Sequence, residues 1–364
     1  MRPFNLTLGS KGDGPQGVAR SEPAVFNSPC FRGGMIRLRL AMPVALAWGL
    51  AVSCGLGTTA AMAATASHHI RNGRIATDYG AEVSYLQTTD SVTGATSDIG
   101  GPNRVRGCNL AASQDGKTLA YSTVCGYFAG RGSDTVSMMN RDGTGQRVVW
   151  RMPSDFGSRQ SVVGNPAISP DGKRILFGTF PHGPSQTRYW TIHTDGTGLA
   201  PLDLGVGTAP DGVPRFSPDG RTLAFTIGGV IWLKKGHKPA APLAVRKPGL
   251  PNDPQYGWLR WSPDGRHLVF ADGKGLYEVA AGGSTWRTLA TSPNTSTGYF
   301  EPTYSPDGTQ LAFMSITPSG DPGGDLLRSI AGLTLARPGT PRTILPGNPA
   351  YQVADPVWLS PQWR

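Results

Sequence analysis

The sequence predicts an all-β fold: a six-bladed β-propeller of four-stranded antiparallel blades, closed by pairing of the N- and C-terminal strands. Three observations predict it. A turn phrase recurs five times with the same flanking residues, a second hairpin phrase follows most copies, and the two chain ends each carry a fragment of one further copy. Repeats of about 40–50 residues, each holding four short strands, are the sequence pattern of propeller blades.

The turn phrase is clearest in "WLRWSPDGRHLVF" at 258–270. Pro at the second turn position sets φ near −65°, Ser and Asp can bond their own backbone, and Gly tolerates φ > 0. Such a turn closes an antiparallel hairpin. Copies start at Ser113 (SQDG), Ser169, Ser217, Ser262 and Ser305, with spacings of 56, 48, 45 and 43 residues. Six residues after each Ser stands Leu119, Ile175, Leu223, Leu268 or Leu311, and eight after stands Tyr121, Phe177, Phe225, Phe270 or Phe313. Period-two placement of aliphatic and aromatic residues reads as strand.

The second phrase supplies the outer hairpin. It reads "MMNRDGTGQRVVW" at 138–150, "TIHTDGTGLAPL" at 191–202, "LYEVAAGGSTWRTL" at 276–289 and "LTLARPGTPRTIL" at 333–345, with a looser version at 230–245. The C-terminal fragment "DPVWLSPQWR" (355–364) holds a first strand and, at Ser360-Pro361, the start of a turn. The N-terminal fragment "NGRIATDYGAEVSYLQTTD" (72–90) resumes after it, with Ile75 and Thr77 in the places of Ile175 and Phe177. Joined in one blade they remove an open sheet edge, which would otherwise be a pairing hazard. The propeller is therefore expected over 72–364.

Ahead of it, residues 35–63 read as a secretory signal, with Arg37 and Arg39 before an apolar run and A-M-A at 61–63. Residues 1–34 read as a non-native or disordered extension and 64–71 as a short linker. The apolar run is broken by Gly, Ser and Cys, so no membrane-spanning segment is expected in the mature chain. "LAVSC", ending at Cys54, loosely resembles a lipobox with Ala51 where Leu is preferred, so lipid anchoring at Cys54 is the lesser alternative to free secretion or the periplasm. Of four Cys, Cys108 and Cys125 remain after the signal. They flank the first hairpin, and a disulfide between them is expected in an oxidising compartment; two unpaired thiols are the alternative.

The 50 Gly and 32 Pro sit in periodic turns, which means hairpins and not disorder. The net charge of +10 falls to +6 outside residues 1–63 and is scattered, without the clustered cations and aromatic platforms of a nucleic-acid groove. His182, His193, His237 and His267 fall at four different repeat positions, so no metal or other cofactor is expected. Asp in the turns caps backbone.

The first strand of each blade should line the channel, its opening residues at the mouth opposite the SPDG turns. Four residues before each Ser stand Asn109, Asn165, Val213, Trp258 and Glu301, with Asp355 or Pro356 in the split blade and Arg106, Tyr256 and Tyr299 nearby. This mix of amide, acid, Arg and aromatic groups is richer than a structural rim requires, and Trp, Tyr and Arg are the usual anchors of an interface. The binding set is thus Asn109, Asn165, Trp258, Tyr299, Glu301, Asp355 and Arg106; the alternative is that these residues merely hydrate the channel or bond neighbouring blades.

The phrases "EPTYSPDGTQLAF" at 301–313, "VPRFSPDGRTLAF" at 213–225 and "NPAISPDGKRILF" at 165–177 resemble the propeller repeat of TolB-like proteins. The resemblance covers essentially all of 72–364. It implies an exported six-bladed propeller that binds other proteins, with Glu301 in the acid position that faces the mouth. It departs from TolB in having only a signal segment, and no α/β domain, ahead of the first strand. It departs from propeller peptidases in lacking a G-x-S-x-G elbow. The expected function is a non-catalytic, monomeric binding propeller with a protein or glycan partner in the cell envelope and no nucleic acid. The alternative is a polysaccharide lyase or hydrolase acting in the channel.

Overall fold

A computed structural model describes residues 73–80, 83–123, 135–153, 162–179, 188–243, 258–283, 285–320, 326–348 and 352–359. Strands are numbered in chain order and form six four-stranded sheets. Blade 1 is β24 (Gln352–Trp358), β1 (Arg74–Gly80), β2 (Tyr85–Asp90) and β3 (Thr96–Asp98). Blade 2 is β4 (Cys108–Ala112), β5 (Thr118–Ser122), β6 (Thr135–Asn140) and β7 (Arg147–Arg151). Blade 3 is β8 (Val162–Ile168), β9 (Arg174–Thr179), β10 (Arg188–His193) and β11 (Ala200–Pro201). Blade 4 is β12 (Arg215–Phe216), β13 (Thr222–Ile227), β14 (Val230–Lys235) and β15 (Ala241–Pro242). Blade 5 is β16 (Arg260–Trp261), β17 (His267–Ala271), β18 (Gly275–Ala280) and β19 (Trp286–Thr291). Blade 6 is β20 (Gly298–Tyr304), β21 (Gln310–Pro318), β22 (Leu326–Thr334) and β23 (Arg342–Leu345). Each innermost strand touches the innermost strands of both neighbours, in the order β24, β4, β8, β12, β16, β20 and back to β24, which closes the ring.

The turn phrase forms the same network five times. Ser Oγ donates to Asp Oδ1 at 2.6 Å in every copy. The backbone N–H five residues after Ser donates back to its Oγ at 2.9–3.0 Å, and the N–H two residues after Asp donates to Oδ1 at 2.9–3.1 Å. The turn Gly takes φ of +64° to +71°, the left-handed region that a side chain disfavours.

Both faces of the second strands are buried, because each blade is sandwiched by two others. Residues six and eight after Ser pack over the residue seven after Ser in the preceding blade. Leu119 and Tyr121 meet Ala76, Ile175 and Phe177 meet Ala120, Leu268 and Phe270 meet Ala224, and Ile75 meets Ala312. A large residue opposite a small one lets twisted sheets interdigitate at interior density. Phe177 and Phe313 are fully buried, and each such ring contributes about 1.5–3 kcal/mol.

Closure occurs as the end fragments require. β24 pairs antiparallel with β1, with Ile75 opposite Trp358 and Tyr79 opposite Val353. The expected register is off by one at the turn. The Leu359 N–H donates to the Arg74 carbonyl at 2.9 Å, the bond that Ser169 makes to Arg174 and Ser305 to Gln310. Leu359, not Ser360, therefore occupies the Ser position. Trp358 takes the place of Trp261, and each indole Nε1 donates to a carbonyl of the preceding blade: Trp358 to Thr303 at 3.2 Å and Trp261 to Arg215 at 3.1 Å.

Candidate functional site: the central channel

Inner strands run from the far mouth toward the SPDG turns, so residues at one offset from Ser form a layer around the channel. The layer four before Ser is built on bulges. Between Phe300 and Thr303, between Cys108 and Ala111, and between Ala354 and Val357, the inner strand has one residue more than its partner. An extra residue bends a strand and re-aims a side chain. At these bulges Glu301, Asn109 and Asp355 are the three non-glycine residues with positive φ among the described residues, at 53°, 54° and 53°.

The re-aimed acids join blades. The Asp355 N–H donates to Glu301 Oε2 at 2.7 Å, and the Asn109 N–H donates to Asp355 Oδ2 at 2.8 Å. Asn109 Nδ2 in turn donates to Ser122 Oγ at 2.8 Å. Blade 6 thus holds blade 1, and blade 1 holds blade 2, each through a carboxylate that satisfies a backbone donor the bulge has freed. Glu301 and Asp355 are buried in the channel wall, not displayed at a rim as expected from their order in the strand. Burial, then the charge of Asp355, pushes the Glu301 carboxyl up to about 8. Burial and the same two acids push Asp78 on β1 well above the usual carboxylate range, and its Oδ1 has no hydrogen-bond partner.

Two residues nearer the turns, the layer reads Ala111, Ala167, Arg215, Arg260, Thr303 and Val357. All six line a cavity of about 440 Å³ that fills the turn-side half of the channel. Its outer wall is the turns themselves, with Pro170, Pro218, Pro263 and Pro306. Arg215 is buried; its Nη1 donates to the Pro166 carbonyl of blade 3 at 2.8 Å, and its Nε has no partner. Burial, then the like charge of Arg260, pulls the Arg215 guanidinium well below its usual range. Burial also lowers Arg260, opposed by Glu301 and then Asp355. A guanidinium keeps its proton at neutral pH even so. This pair escaped the sequence reading, which compared the layer four before Ser. The signal was present in the next layer, as two cations among four small residues.

The far mouth carries aromatic and cationic groups. Arg104 and Arg106, both exposed, place their guanidinium carbons 5.5 and 5.9 Å from the Tyr85 ring centroid. Arg104 is paired with Asp98 at 2.9 Å, and Tyr79 donates to the same carboxylate at 2.6 Å. On blades 5 and 6 the half-buried Trp258 and Phe300 meet edge to face at 6.1 Å. Tyr299 differs from expectation: it is buried and packs on Phe313 at 4.9 Å, which makes it a wall residue.

Cys108 is buried at the start of β4, with its Sγ 3.3 Å from Ser122 Oγ. Cys125, His182, Tyr256, the side chain of Asn165, residues 1–72 and Ser360-Pro361 lie outside the described residues. His193 and His267 sit on different strands of different blades. Among the described residues no group of three or more His, Cys, Asp or Glu is placed to hold a metal ion.

No family model and no curated protein matches the chain. Solved structures do. TolB from Acinetobacter baumannii aligns at 18% identity and TM-score 0.57, over 80% of this chain and 67% of that one. A putative TolB from Agrobacterium tumefaciens aligns at 15% and 0.51, over 79% and 98%. A chain of a nidogen/laminin complex aligns at 14% and 0.51, over 77% and 98%. The chain therefore has the TolB-like six-bladed propeller fold. A fold shared at such identities does not assign a function.

Proposed function

We propose that the chain is an exported, non-catalytic binding propeller whose protein partner docks on the mouth opposite the SPDG turns. The observation that supports this is the pair of exposed cations, Arg104 and Arg106, stacked on Tyr85 at the same end of the ring as the half-buried Trp258–Phe300 pair. Arg, Trp and Tyr dominate binding energy where they can be desolvated, and Arg106 meets an aromatic face without an acidic partner among the described residues. A partner presenting carboxylates beside apolar side chains matches that chemistry.

Export follows from the basic and apolar segment at 35–63, and the cell envelope or the medium is the compartment. There Cys108 and Cys125 form a disulfide across the first hairpin, and a thiol titration of unfolded, unreduced residues 64–364 reads no free thiol. No helix among the described residues is long and apolar enough to cross a membrane.

The test is affinity capture from an envelope fraction with residues 64–364, repeated with Arg106→Ala and Trp258→Ala. Each anchor substitution should weaken capture by about 30-fold, the scale of an interface hot spot. Undiminished capture by both folded variants rejects the far mouth as the docking face.

A further inference from the structure

We propose that the turn-side half of the channel is a carboxylate site, in which Arg215 and Arg260 together hold the carboxylate head of a small organic acid. This site lies at the other end of the channel from the docking face and does not depend on it.

The cavity of about 440 Å³ is within the range of small-ligand pockets, and its walls are mostly uncharged. The two cations stand side by side on blades 4 and 5, while the other four blades contribute Ala, Ala, Thr and Val at that layer. The charge is therefore gathered on one arc and the space on the other. Arg215 is buried and Arg260 half-buried, and two like charges held this close out of water are costly unless an anion joins them. Among the described residues neither guanidinium makes an ion pair with a carboxylate.

Local geometry favours a planar anion. The bond from Arg215 Nη1 to the Pro166 carbonyl fixes the guanidinium plane, and its buried Nε lacks a partner. Arg260 Nη1 is likewise turned back on the Leu259 carbonyl, at 3.2 Å. A fixed guanidinium edge matches the two oxygens of a carboxylate. The Pro218, Pro263 and Trp261 surfaces above it suit an apolar or ring-shaped body. Charge balance points the same way. Of the two acids acting on Arg260, Glu301 is held up to about 8 and so is largely neutral at pH 7, which leaves Asp355 as the one other carboxylate acting on the two guanidinium groups.

The experiment uses residues 64–364 and isothermal calorimetry with benzoate, its neutral isostere benzamide, inorganic phosphate, and the peptide Gly-Gly-Phe with a free or an amidated C-terminus. Benzoate should bind at least tenfold more tightly than benzamide, and Arg215→Gln and Arg260→Gln should each remove that preference. If the free peptide binds and its amide does not, a chain-terminal carboxylate is accepted as well as a free acid. Thr303→Asp supplies a carboxylate from the chain's own wall at the same layer. It should abolish benzoate binding while the folded chain keeps or raises its melting temperature. Equal binding of acid and amide, displacement of benzoate by equimolar phosphate, or the absence of acid binding each overturns the proposal.

Discussion

Replacing Trp358 with Ala tests ring closure directly, because this residue belongs to the C-terminal strand but is buried among residues of the N-terminal strand and of blade 6. Its indole is 6% exposed and shares a cluster with Ile75, Ala312, Ile330 and Ile344. Truncating a buried Trp costs about 3–5 kcal/mol through lost transfer energy and the cavity left behind. The Nε1 bond to the Thr303 carbonyl adds a second loss, since that acceptor would then be buried without its donor, at about 1–3 kcal/mol. Trp358→Phe separates the two terms. It keeps most of the apolar contact and should cost about 1–3 kcal/mol, against about 4–8 kcal/mol for Trp358→Ala. At about 2 °C per kcal/mol for a chain of this size, the melting temperature should fall by roughly 2–6 °C and 8–16 °C respectively. Urea titration and calorimetry read both. A drop under about 2 °C for the Ala variant would mean that the strand does not complete the blade, and the closed ring would have to be abandoned.

Three further outcomes follow from the turns and the buried acids. The Glu301 carboxyl is raised in the fold, so stability is greatest below its unfolded value near 4.5 and declines as pH climbs toward about 8; Glu301→Gln should flatten that decline in urea midpoints, and parallel profiles would refute the assignment. Asp219 is held below the ordinary carboxylate range by the Ser217 hydroxyl and then the Arg221 N–H, so its contribution is present above the unfolded value and lost as pH falls through the lower folded one. Asp219→Ala should cost about 1–2 kcal/mol at pH 7 and blunt the acid limb of the stability profile, and an unchanged acid limb would count against it. Gly308→Ala should cost about 1–2 kcal/mol from its φ of +70° alone, since the added methyl meets nothing nearer than Pro263 at 3.6 Å; Gly143→Ala should cost more, because there the methyl would lie 2.6 Å from the Gly100 nitrogen.

The repeat made the scaffold legible, and its limits follow from what a period-two pattern encodes. The aliphatic and aromatic residues six and eight after Ser announce a strand with one heavy face, and the structure puts them over Ala76, Ala120, Ala224 and Ala312. That facing small residue was also in the text, as the middle letter of "LAY" and "LAF". What the pattern does not carry is a bulge. One inserted residue at Glu301, Asn109 and Asp355 turns side chains from the rim into the gap between blades, and no local composition marks it beyond the following Pro in two of the three. Tyr299 was misplaced for the same reason, since it precedes a register shift. The Leu359 register was obscured because "LSP" mimics the turn one residue late.

A ring of near-equal modules has no preferred direction, so any chemistry in its channel must come from the layers where the repeat breaks. Four residues before Ser, the carboxylates fall on blades 6 and 1; two residues before Ser, the guanidinium groups fall on blades 4 and 5. The ring therefore places its acids and its bases on adjoining arcs but at different depths. Glu301 and Asp355 have backbone donors to satisfy and are tied into the wall by them. Arg215 and Arg260 hydrogen-bond to carbonyls, which fix their position, and meet the charge of Asp355 only through space. The acids act between blades, while the arginines leave a charge facing open space. That difference, set by depth along one strand, is why the turn-side cavity and not the acid layer is the place in this channel suited to a ligand.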